Sequence, residues 1–201
     1  MPEDLALLFR KHSNVSTVKE ATGDLGNMRR TRACCGPEYT IFSGDDGITA
    51  DMMTDPEIKA AGVISVISNI VPGAMVEYVA LLAKGDREGA QALRAAIEPL
   101  FGLVTVKTTE QTPYGEVVCR ARNPLGLKTL MVILGMPAGI CRRPLGKMSR
   151  NGVETVLAIA RRVQSDTPGI FKPLADFFKV DIDDRLNNEA FLKGCYYDTY
   201  E

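Results

Sequence analysis

The chain has 201 residues, 45% of them hydrophobic and 24% charged, with a formal net charge of −1. That is the size and composition of one sizeable soluble domain, or of a domain with a helical appendage. A near-zero charge gives no electrostatic case for nucleic acid or a membrane surface. The five cysteines (Cys34, Cys35, Cys119, Cys141 and Cys195) show no CxxC or Cys/His spacing, and His12 is the single histidine. Neither a metal centre nor a disulfide framework is expected, no cofactor is implied, and a reducing, cytoplasmic setting is the expectation. The N-terminus has no basic n-region or long apolar run, which argues against a secretory signal. The apolar stretch 61–74 is interrupted by Gly, Pro, Ser and Asn and is too short to span a bilayer.

Residues 1–12 predict an amphipathic helix. Pro2 suits the first turn, Glu3 and Asp4 complement the positive end of the dipole, and Arg10, Lys11 and His12 complement the negative end. Leu5, Leu8 and Phe9 form its apolar stripe. His12 is then a helix-terminal residue. Val15 to Glu20 alternates and is rich in β-branched residues, so it predicts a strand. Thr22-Gly23-Asp24 comes next as a turn and helix start. Lys19 therefore stands at the C-terminal end of a strand, before a strand-to-helix loop, where α/β proteins place their chemistry. It is either a solvated surface lysine or an amine kept neutral by desolvation and used as a Schiff-base nucleophile.

A second helix is predicted over 25–35, stopped by Gly36-Pro37, with Cys34 and Cys35 as ordinary thiols in its last turn. Residues 39–43 predict the second strand. It ends in Gly44-Asp45-Asp46-Gly47, where close backbone approach and helix capping are favoured over a magnesium site. Residues 48–59 predict a helix interrupted at Asp55-Pro56. The near-continuous apolar run 61–69 predicts a third strand, buried on both faces of a parallel sheet. A helix from about 73 to 84 completes three β-α units, and this alternation implies right-handed crossovers.

The pattern changes after Gly85. Asp86 caps a helical stretch to about 104, weakened by Gly89 and kinked at Pro99. Residues 107–123 are a polar excursion without clear periodicity. A helix spans 124–134, a loop 137–147, and a further helix capped by Ser149 or Asn151 runs to 163. Short helical pieces complete the chain, with Tyr196, Tyr197 and Tyr200 expected to dock on a surface or partner. The division expected is 1–84, a partial barrel, and 85–201, a helical domain with an extended tail.

Three strings now stand in order: Val18-Lys19-Glu20-Ala21-Thr22-Gly23-Asp24, Ser43-Gly44-Asp45-Asp46 and Gly62-Val63-Ile64-Ser65-Val66. Together with Asn123-Pro124-Leu125-Gly126-Leu127-Lys128 they closely resemble the second half of the dihydrodipicolinate synthase family of pyruvate-dependent class I aldolases. The resemblance runs from residue 1 to about 165. It implies an α/β fold, the C-terminal part of a (β/α)8 TIM barrel (strands six to eight), plus a C-terminal helical domain. It places Lys19 on the Schiff-base position, and Gly44 and Ile64 on positions lining the pyruvate pocket.

The activity implied is condensation of pyruvate with aspartate semialdehyde in lysine (diaminopimelate) biosynthesis, in a homo-oligomer built as a dimer of dimers. A nucleophilic amine must be unprotonated near neutral pH, whereas a lysine amine in water titrates at about 10.4; burial in a barrel mouth disfavours the ammonium form. Glu20 points opposite to Lys19 along the strand, toward the outer helices rather than the base position.

The sequence holds no counterpart of the family's strands one to five, which carry the carboxylate-binding threonines, the proton-relay tyrosine and the semialdehyde-binding arginine. Segment 107–122 and the tail after 165 also depart from the family. A three-strand set leaves open edges, and Val18, Ile41, Val63 and Val66 are expected to expose part of their surface. The chain is accordingly expected to be marginal alone, complemented by the N-terminal half, or part of a longer gene product. Two other readings stay open: a non-catalytic fragment or oligomerisation subunit, and another pyruvate aldolase such as an N-acetylneuraminate or sugar-acid lyase.

Overall fold

The computed structural model describes residues 1–198. They divide into two compact units: Met1–Val66 with Met75–Gln91, and Ile67–Ala74 with the chain from Ala92 on. Among the described residues no helix is long and apolar enough to cross a membrane.

The first unit contains, in chain order, α1 (Pro2–Lys11), β1 (Thr17–Glu20), α2 (Leu25–Cys35), β2 (Thr40–Ser43) and α3 (Thr49–Thr54). The boundaries of α1 and α2 reflect local chemistry. Asp24 caps α2 by accepting the Asn27 N–H at 3.1 Å, and Gly36 ends it at φ +84°. Helix α3 is shorter than expected. It stops at Asp55, whose carboxylate accepts the Glu57 N–H at 2.8 Å and turns the chain; the pre-proline position favours that extended backbone.

β1 and β2 pair in parallel, with Lys19 opposite Phe42 and Glu20 opposite Ser43. The third strand expected at 61–69 is reduced to a single parallel bridge, Ser43 to Val63, and 67–69 is a 3-10 turn. The ladder is nonetheless continued by three 2.8 Å bonds, Ala61 N–H to Ile41 O, Ser43 N–H to Gly62 O and Ile64 N–H to Ser43 O.

The apolar core of this unit lies on one side of the ladder. Met28, Tyr39, Ile41, Met52 and Ile58 are buried, with Val18, Phe9 and Leu25 packed against them. Ile41 and Val18 therefore face the helices; Ile41 is fully buried, against the expected partial exposure, while Val18, Val63 and Val66 keep part of their surface exposed. Since Lys19 and Glu20 alternate, Val18 shares the face of Glu20. The uncovered side belongs to Lys19, Phe42 and Ile64. In α1, Leu8 is exposed, while Pro2 and Ala6 are buried.

Arg32 binds the surrounding loops together. Its guanidinium donates to the carbonyls of Ile58 (2.9 Å), Gly36 (2.8 Å) and Lys59 (3.3 Å), among others. Nearby, Arg29 donates to Asp55 at 2.8 Å.

Helices α4 (Pro72–Lys84) and α5 (Arg87–Ile97) come next. Asp86 accepts the Gly89 N–H at 2.9 Å, as a cap should. The stretch expected to run on to 104 changes to 3-10 geometry at Glu98–Val104, where Pro99 lies.

In the second unit, the expected polar excursion is an antiparallel hairpin, β3 (Thr105–Thr112) and β4 (Gly115–Arg122), joined through Pro113-Tyr114. The run is dense in Thr and Val, and the Thr112 hydroxyl closes the turn on Gly115 O at 2.8 Å. Helices α6 (Leu125–Ile133) and α7 (Arg150–Asp166) come after it, the latter capped by Ser149, which accepts the Gly152 N–H at 3.0 Å. The α7 stripe of Val153, Val156, Leu157, Ala160 and Val163 is buried at helical spacing. It packs on α6, β3, the 98–104 segment and α9 (Ile182–Asn187).

The tail forms α8 (Lys172–Phe178) and α9. Tyr196 and Tyr197 dock on this unit's own surface: the Tyr196 hydroxyl accepts from Arg150 at 3.0 Å and the Tyr197 hydroxyl from the Lys147 N–H at 3.3 Å. Tyr200 lies outside the described residues. Arg185 of α9 donates to the Val132 and Ile133 carbonyls at the end of α6 and lies 3.8 Å from the Phe191 ring centroid. Burial lowers its pKa from the ordinary arginine value.

These contacts set two expected outcomes. Replacing Arg185 with Met keeps the stem but removes the donor of the Ile133 carbonyl and one of the two donors of the Val132 carbonyl, which keeps the Gly135 N–H, and urea unfolding should lose about 1.5–3 kcal/mol; a change below the experimental scatter would refute this role. The Asp55 carboxyl is held below its ordinary value, first by the Glu57 amide and further by Arg29. Its folded pKa lies below the unfolded one, so its stabilisation is present above the ordinary carboxylate range and lost as pH falls through the lowered value. The melting-temperature gap between wild type and Asp55→Asn should close on acidification; a gap constant with pH contradicts this.

Candidate functional site

The C-terminal edge of the parallel ladder gathers three of the predicted residues. Lys19 is the penultimate residue of β1. Gly44 comes directly after β2, and its N–H donates to Glu20 O at 2.7 Å. Ile64 comes after the Val63 bridge and is tied to Ser43 O. By strand alternation, Lys19, Phe42 and Ile64 share one face.

Gly44 is required there by contact distance. A Cβ at this position would stand 2.7 Å from the Ala21 Cβ and 2.9 Å from the Lys19 Cε. The lysine stem therefore lies across the Gly44 backbone, and any side chain would push it off. The two residues nominated from sequence are thus brought into direct contact. Ile64 is 46% exposed and Lys19 is also exposed. No part of this unit dries the amine.

The neighbouring carboxylates are occupied elsewhere. Glu20 is buried on the opposite face and accepts the Thr22 N–H at 2.9 Å and the Asn27 side-chain amide at 3.4 Å. It fixes the turn into α2. Asp45 accepts the Gly47 N–H at 2.9 Å. Asp46 is buried and accepts the Val66 N–H at 3.0 Å, tying the second site loop to the third. Ser43 donates to Asp45 O at 2.8 Å, and the Thr49 hydroxyl joins the same carbonyl at 2.9 Å. Sequence reasoning does not reach the Asp46–Val66 tie or the Ser43–Thr49 pair. The run Ser-Gly-Asp-Asp with Thr49 shortly after it, polar residues bracketing a glycine at a strand end, is the signal that could have suggested them.

Chemically, the edge offers a primary amine lying on a bare backbone segment, beside an apolar side chain. Among the described residues no group of three His, Cys, Asp or Glu side chains could hold a metal ion. The distinctive reactive group at this edge is the amine.

Comparison with known proteins supplies the frame for this edge. The profile of the Dihydrodipicolinate synthetase family matches residues 1–163. The 4-hydroxy-tetrahydrodipicolinate synthase of Methanococcus maripaludis is 33% identical over 150 residues, 75% of this chain and 45% of its own. That of Leptospira biflexa is 30% identical over 149 residues, with 74% and 45% covered. A crystal structure of dihydrodipicolinate synthase superposes with a TM-score of 0.66 at 30% identity, covering 82% of this chain and 49% of that one. The enzyme from Methylacidiphilum fumariolicum gives a TM-score of 0.71 at 24% identity, with 85% and 51% covered, which speaks for the fold. These neighbours are TIM-barrel enzymes, and the present structure is a helix-rich α/β arrangement. The chain spans about half the length of the curated relatives it matches. On the length and identity of these matches, the chain belongs to the dihydrodipicolinate synthetase family.

Proposed function

We propose that this chain supplies the Schiff-base half of a pyruvate aldolase, with Lys19 as the nucleophile and the ladder edge as strands six to eight of a barrel. The observation that carries this reading is the contact of the Lys19 stem with Gly44, which fixes the amine at the C-terminal edge of three parallel segments. The Lys19 Nζ would attack the carbonyl carbon of pyruvate, and loss of water would give the imine. The imine draws electrons from the methyl carbon, which loses a proton to become an enamine. That carbon would then attack the aldehyde of aspartate semialdehyde, and ring closure through the acceptor's amine would displace Lys19. Gly44 would offer backbone to pyruvate and Ile64 an apolar wall.

This chemistry needs a dry amine, and Lys19 is exposed. The remaining strands, from the same polypeptide or a complementing N-terminal half, would supply the walls. A dimer of dimers and a cytoplasmic location go with this reading. The same exposure favours a second reading, a subunit without catalytic activity of its own.

Incubation with pyruvate and borohydride separates the two. A reduced adduct on the Lys19 peptide is expected, increasing when a complementing N-terminal half is supplied and absent from Lys19→Arg. No adduct under either condition would remove the Schiff-base assignment. Gly44→Ala should cut trapping by at least about tenfold while circular dichroism stays unchanged, because the added methyl displaces the lysine stem. Trapping at the wild-type rate would show that the contact has no part in the site.

A further inference from the structure

The second unit contains a cavity of about 290 Å³ that the ladder edge does not use. This lies near the lower bound of roughly 300 Å³ for small-molecule sites. Its walls come from the β3–β4 hairpin, the start of α6, the 145–149 loop and Tyr197 of the tail. Tyr197 lies beyond residue 163, where the family match ends.

The lining is divided by chemistry. Val106, Leu125, Leu145 and Met148 form an apolar wall. Lys147 brings an ammonium whose Nζ stands 5.7 Å from the Tyr197 ring centroid. Among the described residues Lys147 has no ion pair, and no carboxylate lines the cavity. Arg120 also borders it, but its strand position alternates with Cys119 and Ala121, whose partners Thr108 and Val106 line the wall. Its side chain therefore starts from the opposite face of the hairpin.

The hydroxyl groups are already organised. Thr108 donates to the buried Glu110 carboxylate at 2.7 Å, and Asn151 donates to the other oxygen at 2.7 Å. Glu110 is thus hydrogen-bonded to its own neighbours and does not line the cavity; its charge lies behind Thr108, so the end of the cavity at Lys147 is the one that suits an anion. The Ser149 oxygen takes the Gly152 N–H at 3.0 Å and stands 3.3 Å from the Thr108 hydroxyl. Tyr197 is seated by Gly146, at φ +60°, where a methyl group would collide with its hydroxyl.

We propose that this cavity binds a small amphipathic carboxylate, an aryl- or alkyl-substituted monoacid. Its apolar body lies against Val106, Leu125 and Met148, its carboxylate is held by Lys147, and Tyr197 covers the entrance. An unpaired cation beside apolar surface is the pairing that separates such an acid from its neutral analogue. The tail residue that lines the cavity, Tyr197, stands outside the family match, so the complete site is not a property of the matched region alone.

The test titrates the full chain with 3-phenylpropionate, 3-phenyl-1-propanol and acetate by calorimetry, and monitors alkylation of Cys119, which lines the wall. Saturable binding of 3-phenylpropionate is expected, with the alcohol and acetate at least about tenfold weaker. Bound acid should slow Cys119 alkylation. Lys147→Met should erase the preference for acid over alcohol without altering the melting temperature. Gly146→Ala should weaken binding by displacing Tyr197. No saturation by the acid, equal binding of acid and alcohol, or unchanged selectivity in Lys147→Met would each overturn the proposal.

Discussion

The parallel ladder running from β1 through β2 to the 61–64 segment is the constraint on which the first unit depends. Its bonds are main-chain bonds, so they fix position without regard to side chain. Gly44 N–H to Glu20 O and Ile64 N–H to Ser43 O bring three loop starts to one level. The chemistry of the edge is then decided by which residues occupy that level. Alternation sends Val18 and Ile41 into the helices and leaves Lys19 and Ile64 on the other side. A one-residue slip would invert this assignment and bury the amine among methionines.

Much of the local structure is legible in the sequence because its causes are local. Asp24, Asp86 and Ser149 cap their helices through their own side chains, and Pro2, Gly36 and Gly135 mark ends by backbone geometry. The Lys19 and Gly44 pair is legible for a different reason. Their strings resemble a family, and the resemblance carries a juxtaposition that periodicity alone does not.

Sequence and structure part where distant partners decide the outcome. The apolar run 61–69 satisfies a strand pattern, yet only its first residues find a ladder partner, and 67–69 curls into a 3-10 turn. The 105–122 hairpin escapes a periodicity reading because the covered face of β3 carries Val106, Thr108 and Glu110 and so lacks an apolar alternation, and β4 is mostly exposed; Thr and Val content with the Pro113-Tyr114 turn is the available signal. Ile41 is fully buried against helices although partial exposure is expected for it, and the side assigned to Glu20 already implies the placement of Val18 and Ile41 on the helix-facing side. The cavity beside Lys147 is invisible to any local reading, since its walls join residues as far apart in the chain as Val106 and Tyr197.

Arg185 changes the meaning of the boundary at residue 163. The family profile stops there, and that profile alone would make the later residues an appendage. Yet the Ile133 carbonyl at the end of α6, inside the matched region, receives its donor from a guanidinium 52 residues further on, which also adds a bond to the Val132 carbonyl. Arg161, inside the matched region, donates in turn to Leu186 O at 2.7 Å. The tail and the family core thus complete each other's hydrogen bonds in both directions. The profile ends at one place in this chain and the hydrogen-bonded packing at another, so a domain trimmed to the profile boundary would lose the donor of the Ile133 carbonyl and the acceptor of Arg161.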